Sequence, residues 1–255
     1  MGTLNFYPFK FKKLSKMKRA GILFLFLAIT VGANAQMWME IGAKGMYGFK
    51  GFYNDNIIND RDHEYKISPG YAYGGLININ FADRHGFIIE GLLAENTQKF
   101  NYDLGGSLQT ASEVKWSTVD GYLMYRAYNN TSFLEIGPKI SIVKSIDQTP
   151  NPLNIWDIPK QYNEQYWSAA IGFGGMILGS EFFTLKMGLR FEYALGDLVG
   201  SEGEKNNFPA YYVAYDSYKA SHPFSAMLNM ELNFAIGAVA RAQCGRRRFI
   251  FGSGY

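Results

Sequence analysis

Residues 182–193 read Phe182-Phe183-Thr184-Leu185-Lys186-Met187-Gly188-Leu189-Arg190-Phe191-Glu192-Tyr193. The odd positions from Phe183 to Tyr193 are all apolar. The even positions from Thr184 are Thr184, Lys186, Gly188, Arg190 and Glu192. A period of two sends successive side chains to opposite faces, so this stretch predicts a β-strand with one apolar and one polar side. Its length suits a strand tilted across a bilayer, which takes about nine to eleven residues.

Seven further segments repeat the pattern, at 38–49, 70–81, 87–102, 114–128, 132–143, 165–177 and 222–236. The first sets Ile41, Ala43, Gly45, Tyr47 and Phe49 against Glu40, Gly42, Lys44, Met46 and Gly48. The connections alternate in length. Long ones span 54–66, 103–113, 144–163 and 196–221, and short ones 82–86, 129–131 and 178–181. An even strand number with alternating short turns and long loops is the pattern of an outer-membrane barrel. The expected fold is therefore all-β: an eight-stranded antiparallel up-and-down transmembrane barrel with short periplasmic turns and long extracellular loops. Pro138 falls inside a strand, where it removes a ladder donor, and predicts a bulge there.

One face of every strand is apolar. The other collects Glu40, Lys44, Glu90, Asp120, Arg126, Glu135, Lys139, Lys186, Arg190, Glu192 and Glu231. A charge on the lipid side of the midplane costs ~2–4 kcal/mol, so these positions are assigned to the lumen. An eight-stranded lumen is only wide enough for side chains to fill, which predicts a paired polar network rather than a transport path. Aromatics at strand ends suggest two interfacial belts. Tyr47, Phe49, Tyr71, Tyr73, Trp116, Trp167, Tyr193 and Phe224 are assigned to the outer belt. Phe81, Phe87, Tyr128, Phe133, Phe182 and Phe234 are assigned to the inner one. The rival fold is a secreted lipocalin-like barrel, with an apolar lumen and a polar exterior.

The chain opens with a targeting pattern. Lys10, Lys12, Lys13, Lys16, Lys18 and Arg19 precede the apolar run 20–31, and Ala33-Asn34-Ala35 forms an A-x-A cleavage site. Met17 is an alternative start, since 17–35 alone makes a complete signal peptide. The expected organisation is a removed signal at 1–35, a barrel at 36–237 and a basic periplasmic tail at 238–255. Without the leader the formal charge falls from +3 to −3, which removes the support for a nucleic-acid partner. The single cysteine, Cys244, excludes an internal disulfide framework and a cysteine-rich zinc site.

With its glycine-studded strands, as in residues 41–49, the chain resembles the small outer-membrane β-barrel proteins of Gram-negative bacteria. These are of the OmpX or OmpA-transmembrane kind, including the outer membrane beta-barrel proteins of Bacteroidota. The resemblance covers 37–237 and rests on pattern rather than on a signature motif. It implies the barrel fold and an outer-membrane location, and it assigns no site residues. Such barrels end on an aromatic residue, a part that Phe234 fits, although a basic tail follows.

Candidate chemistry is sparse. His63 lies near Asp60 and Asp62, and His222 follows Ser221. A His/Asp/Ser cluster on the outer rim would suit an outer-membrane acyltransferase or protease. No glycine loop of the phosphate-cradling kind precedes a helix, and no cofactor or metal is expected. The Tyr-rich stretch 211–218 and the tail arginines Arg241, Arg246, Arg247 and Arg248 are candidate contact surfaces for envelope partners. The leading expectation is a non-enzymatic integral barrel that accompanies an envelope assembly or presents its loops outside. Its expected partners are outer-membrane lipid and envelope proteins that meet the loops or the tail. A narrow passive pore is the alternative, and an outer-membrane enzyme with a loop-borne site comes after it.

Overall fold

The structure, a computed structural model, describes residues 37–81, 84–103, 109–151, 155–180, 183–213 and 215–236. The leader at 1–35, the tail at 238–255 and Phe182 of the quoted stretch lie outside the described residues.

Nine strands form: β1 (Met37–Tyr53), β2 (His63–Lys66), β3 (Ser68–Phe81), β4 (His85–Asp103), β5 (Gln109–Asn129), β6 (Ser132–Thr149), β7 (Gln165–Gly179), β8 (Phe183–Ala194) and β9 (His222–Ile236). Eight of them are barrel staves. Successive staves pair antiparallel, and β1 closes on β9 from Met39↔Ile236 to Tyr53↔His222. The ring has no free edge along its height, which is how an antiparallel sheet avoids unpaired backbone groups. β2 is an addition within the first long connection. It pairs only with the far end of β4, from His63↔Tyr102 to Lys66↔Lys99.

The first residues of β1 and the last of β9 lie at the rim of the short turns. One of those turns places Asn130 at φ 55, a left-handed conformation that Asn tolerates. The opposite rim carries the long connections and taller walls. β4 and β5 stay paired up to Asp103↔Gln109, and β6 runs to Thr149. The walls run past the strand ends expected at 102, 114 and 143; they are polar outside, and Phe100, Val114 and Ile146 are buried on their inner side.

The bulge expected at Pro138 is absent. Tyr122↔Lys139 and Tyr125↔Ile136 keep a single register across it. A Cβ on neighbouring Gly137 would stand 2.1 Å from the Leu123 carbonyl oxygen, so β5 closes onto β6 there without an extra residue. The register instead shifts between Ser117 and Thr118, and between Met176 and Leu178.

Burial follows the alternation. Ile41, Ile89, Leu134, Ile171, Leu189 and Leu228 are exposed on the outside, while their even- or odd-numbered neighbours are buried inside. The interior is not wholly polar. Met46, Leu76, Ile88, Leu92, Met124 and Met227 form an apolar cluster on the β1–β3–β4–β5 side and β9.

Candidate functional site

Six strands each contribute one charged side chain to a closed ring across the lumen. Lys44 comes from β1, Glu90 from β4, Arg126 from β5, Glu135 from β6, Arg190 from β8 and Glu231 from β9. Arg190 joins Glu90 (Nη1 to Oε2, 2.6 Å) to Glu135 (Nε to Oε1, 2.8 Å). Arg126 joins Glu135 (Nη2 to Oε2, 2.6 Å) to Glu231 (Nη1 to Oε2, 2.9 Å). Lys44 completes the ring, donating to Glu231 Oε1 at 2.7 Å and Glu90 Oε1 at 2.8 Å. All six side chains are without exposed surface.

Carboxylate oxygens of Glu90, Glu135 and Glu231 lie within 4.8 Å of one another, close enough to grip a metal ion. Every one of their six oxygens already accepts a hydrogen bond from an ammonium or guanidinium. Three cations thus occupy the gaps that a metal would need, and the charges cancel without one. Burial of so many charges is tolerable only with this degree of pairing. The arginines also lie over aromatic faces, Arg126 4.1 Å from the Phe133 centroid and Arg190 5.0 Å from Tyr122.

Two smaller groups flank the ring. Toward the long loops, Lys139 bridges Asp120 (2.9 Å) and Glu192 (2.7 Å), and the Tyr122 hydroxyl donates to Glu192 at 2.8 Å. Toward the short turns, Lys186 and the Asn78 amide both donate to Glu40 Oε2, at 2.9 and 2.7 Å. All eleven charged residues named from the alternation are therefore buried inside the barrel and connected. A twelfth, Lys50, joins them, because β1 continues to Tyr53, past the end expected at Phe49. The parity of Lys44, Met46 and Gly48 continues to Lys50, which makes the interior charge six basic against six acidic. Arg241, Arg246, Arg247 and Arg248 lie outside the described residues.

Above the barrel, three of the long connections fold into an ordered cap. The first carries helix α1 (Asp55–Asn59), the third a 3₁₀ turn (Ile158–Gln161), and the fourth helix α2 (Ser201–Lys205). Phe52, Phe100, Trp116, Tyr162, Leu198 and Phe208 belong to its apolar core. Asn54 caps α1 through its side-chain oxygen and donates its amide to Lys219 O (2.8 Å) and Ser221 Oγ (2.9 Å), tying the first connection to the fourth. Asp197 accepts from the Val199 and Ser221 amides and from the Tyr218 hydroxyl. At Gly203 a Cβ would meet the Gln161 carbonyl oxygen at 2.1 Å, so α2 seats on the 3₁₀ turn only with glycine there.

The belt assignment is corrected at both rims. Trp116 and Phe133 are buried and face inward, and Tyr128 turns its hydroxyl to Asn78. All three share the inward parity of their strands. Closeness to a strand end was the wrong criterion. Trp167, Tyr47, Phe49, Tyr71, Tyr73 and Tyr193 are exposed on the outer face.

The suggested His/Asp/Ser grouping does not assemble. His63 Nδ1 lies 2.9 Å from Asp60, whereas His222 Nδ1 bonds the Ala194 carbonyl oxygen at 3.1 Å. Ser221 Oγ is held by Asn54.

No family model matches the chain, and no curated protein matches it. Among solved structures it is similar to the outer membrane protein OprG from Pseudomonas aeruginosa, at 12% identity and a TM-score of 0.41, over 82% of this chain and 99% of that one. It is also similar to Ail, the attachment invasion locus protein of Yersinia pestis, at 13% identity and 0.34, over 76% and 98%. A third likeness is to the outer membrane protein AlkL, at 12% identity and 0.28, over 76% and 88%. The eight-stave closure itself stands on the strand pairing of this chain.

Proposed function

We propose that the chain is an integral outer-membrane β-barrel, closed along its axis, that presents an ordered cap to the outside and has no enzymatic activity. The observation that supports this most is the inside-out distribution of charge. Twelve charged side chains are buried within the barrel, while Met39, Ile41, Tyr47 and Phe49 of β1 and their lateral neighbours are exposed. A soluble barrel would expose the charges and bury the apolar rows, and a water-soluble surface does not tolerate so large an apolar band. The charge-free outer stretch from Met39 to Phe49, at about 3.3 Å per residue and tilted about 40°, spans about 25 Å, the height of an outer-membrane apolar band.

The charged ring argues against the pore alternative, because its members fill the cross-section that an ion would use. The scattered histidines argue against a loop-borne enzyme. The role left is that of an anchored surface element, with lipid around the apolar band and envelope proteins meeting the cap or the basic tail. The glycine-studded strands favour the OmpX or Bacteroidota kind of small barrel. No cofactor and no nucleic acid enter this reading.

The test compares two neighbours of the quoted strand in the full chain. Leu189→Arg places a charge on the lipid side, at ~2–4 kcal/mol. Lys186→Met combined with Glu40→Gln removes an inward ion pair together and leaves no bare charge inside. The folded, heat-modifiable fraction in the outer membrane should drop sharply for Leu189→Arg and stay near wild type for the paired inward change. Equal assembly of the two variants would overturn the assignment of faces, and with it the membrane reading.

A further inference from the structure

One buried imidazole joins the first long connection to the fourth. The His63 side chain opens β2 and has no exposed surface. Its Nδ1 lies 2.9 Å from Asp60 Oδ2, and its Nε2 lies 3.3 Å from the Tyr212 hydroxyl. The Tyr215 hydroxyl donates to the same Asp60 oxygen at 2.9 Å and stands 3.3 Å from His63 Nδ1. The ring stacks on Tyr212 and packs against Tyr102 (centroids 4.6 Å) and Phe100 (6.0 Å). The titratable groups facing it are therefore Asp60 and Asp62 from the α1–β2 turn, Tyr102 from β4, and Tyr212 and Tyr215 from the fourth connection. Among the described residues that touch it, none is a cation.

The two ring nitrogens have different tasks. With Asp60 accepting at Nδ1, that nitrogen carries the hydrogen, and Nε2 is left to accept from Tyr212. A second proton must go to Nε2. It converts the acceptor into a donor, so the bond from the Tyr212 hydroxyl is lost as it stands, and it places a charge among aromatic rings out of reach of water.

We propose that His63 is an acid-operated latch of the outer cap. Neutral, it ties the 54–66 connection to Tyr212 and Tyr215. Protonated, it releases that segment and uncovers the tyrosine faces behind it. Tyrosine-rich faces of this kind are favoured at protein interfaces.

The direction of the pH response follows from the surroundings. Burial pushes His63 below the ordinary imidazole value, and the Asp60 and Asp62 charges pull the other way without restoring it. Burial pushes Asp60 up, but the Asp62 amide, Tyr215 and His63 hold its carboxyl below the usual carboxylate range, so it stays ionised throughout. Tyr212 is held above the usual phenol range by burial. His63 is thus the group that titrates. Because its folded pKa is depressed, the latch holds fully above about pH 6.5 and is lost as pH falls through the lower folded value.

The experiment is amide hydrogen exchange on the full chain refolded in detergent micelles, corrected for intrinsic rates, between about pH 7.5 and about pH 5. Micelles suffice, so failure here leaves the assignment of faces untouched. Exchange in peptides covering 54–66 and 207–213 should rise about tenfold or more on acidification, while β7–β9 stay protected. His63→Gln, which still donates and accepts, should abolish the step. His222→Gln should leave it intact. A flat wild-type profile, a step that survives His63→Gln, or a step lost in His222→Gln would each overturn the latch. If His63→Gln does not assemble, an NMR titration of the wild-type imidazole decides. A midpoint below about 6.5 that coincides with the exchange step supports the latch, and a midpoint at or above it rejects it.

Discussion

The barrel is blocked at two heights by opposite chemistry. At mid-height, Lys44, Glu90, Arg126, Glu135, Arg190 and Glu231 close the lumen with hydrogen-bonded charges drawn from six strands. At the outer mouth, packed rings close it, Phe52 and Trp116 from the tall ends of β1 and β5 and Tyr162 and Phe208 from the long connections. The ring is rigid in placement because every member sits on a paired strand, and each of its bonds fails only if a buried charge is left bare. The cap is held by many small contacts that can be given up one at a time. Stability at mid-height should therefore be all-or-none, and stability at the mouth graded and local.

The largest effect should come from opening the ring. Arg190→Met strips donors from both Glu90 and Glu135 and leaves them buried with fewer partners. Breaking a buried pair in this way costs ~3–5 kcal/mol. The denaturant midpoint for unfolding from lipid vesicles should fall accordingly, with all strands lost together. Arg190→Met combined with Glu90→Gln restores neutrality, and it should recover ~0.5–3 kcal/mol relative to the sum of the single changes. Strict additivity would show that the ring is a set of independent pairs.

Next comes the cap. Phe208 is buried against Trp156, Tyr162 and Tyr211, with centroids 5.6, 5.9 and 5.2 Å away. Phe208→Ala removes ~3–5 kcal/mol of packing, but from the cap alone. Proteolysis within 150–164 and 195–221 should accelerate while the vesicle unfolding midpoint moves little. Planar bilayers should stay electrically silent for this variant as for wild type, since the ring still seals the lumen. A channel that opens in Phe208→Ala would make the cap the seal and return the pore reading to favour.

These two closures were unequally visible in the sequence. The ring was legible because alternation is a local signal. Glu135 and Arg190 announce their face through their immediate neighbours, and only pairing partners need the fold. Even so, the charges drew the eye from Leu76, Ile88, Leu92 and Met124, which share the inward parity and line an apolar side of the lumen. The cap was not legible. Its contacts join residues far apart, such as Asn54 with Ser221 and Tyr162 with Val199, and loops have no period to reveal which side chain turns inward. Trp116 lay on the boundary. Its parity with Thr118 and Asp120 pointed inward, yet its place near a strand end suggested lipid.

The smallest effect isolates what the ring owes to burial rather than to distance. Lys160 and Asp157 lie at the surface of the cap with Nζ and Oδ2 2.7 Å apart, the same separation as Lys44 and Glu231 in the ring. The surface pair is 73% and 53% exposed in its side chains, and the ring pair 0% and 0%. Water and salt screen the first, whereas nothing but protein surrounds the second. Asp157→Asn should leave both the cap exchange and the unfolding midpoint within error of wild type. Lys44→Met, which takes one cation from Glu231 and Glu90 at once, should shift the midpoint on the scale of Arg190→Met. If the two substitutions proved equal, bond length would be the governing quantity, and the contrast between ring and cap would lose its basis.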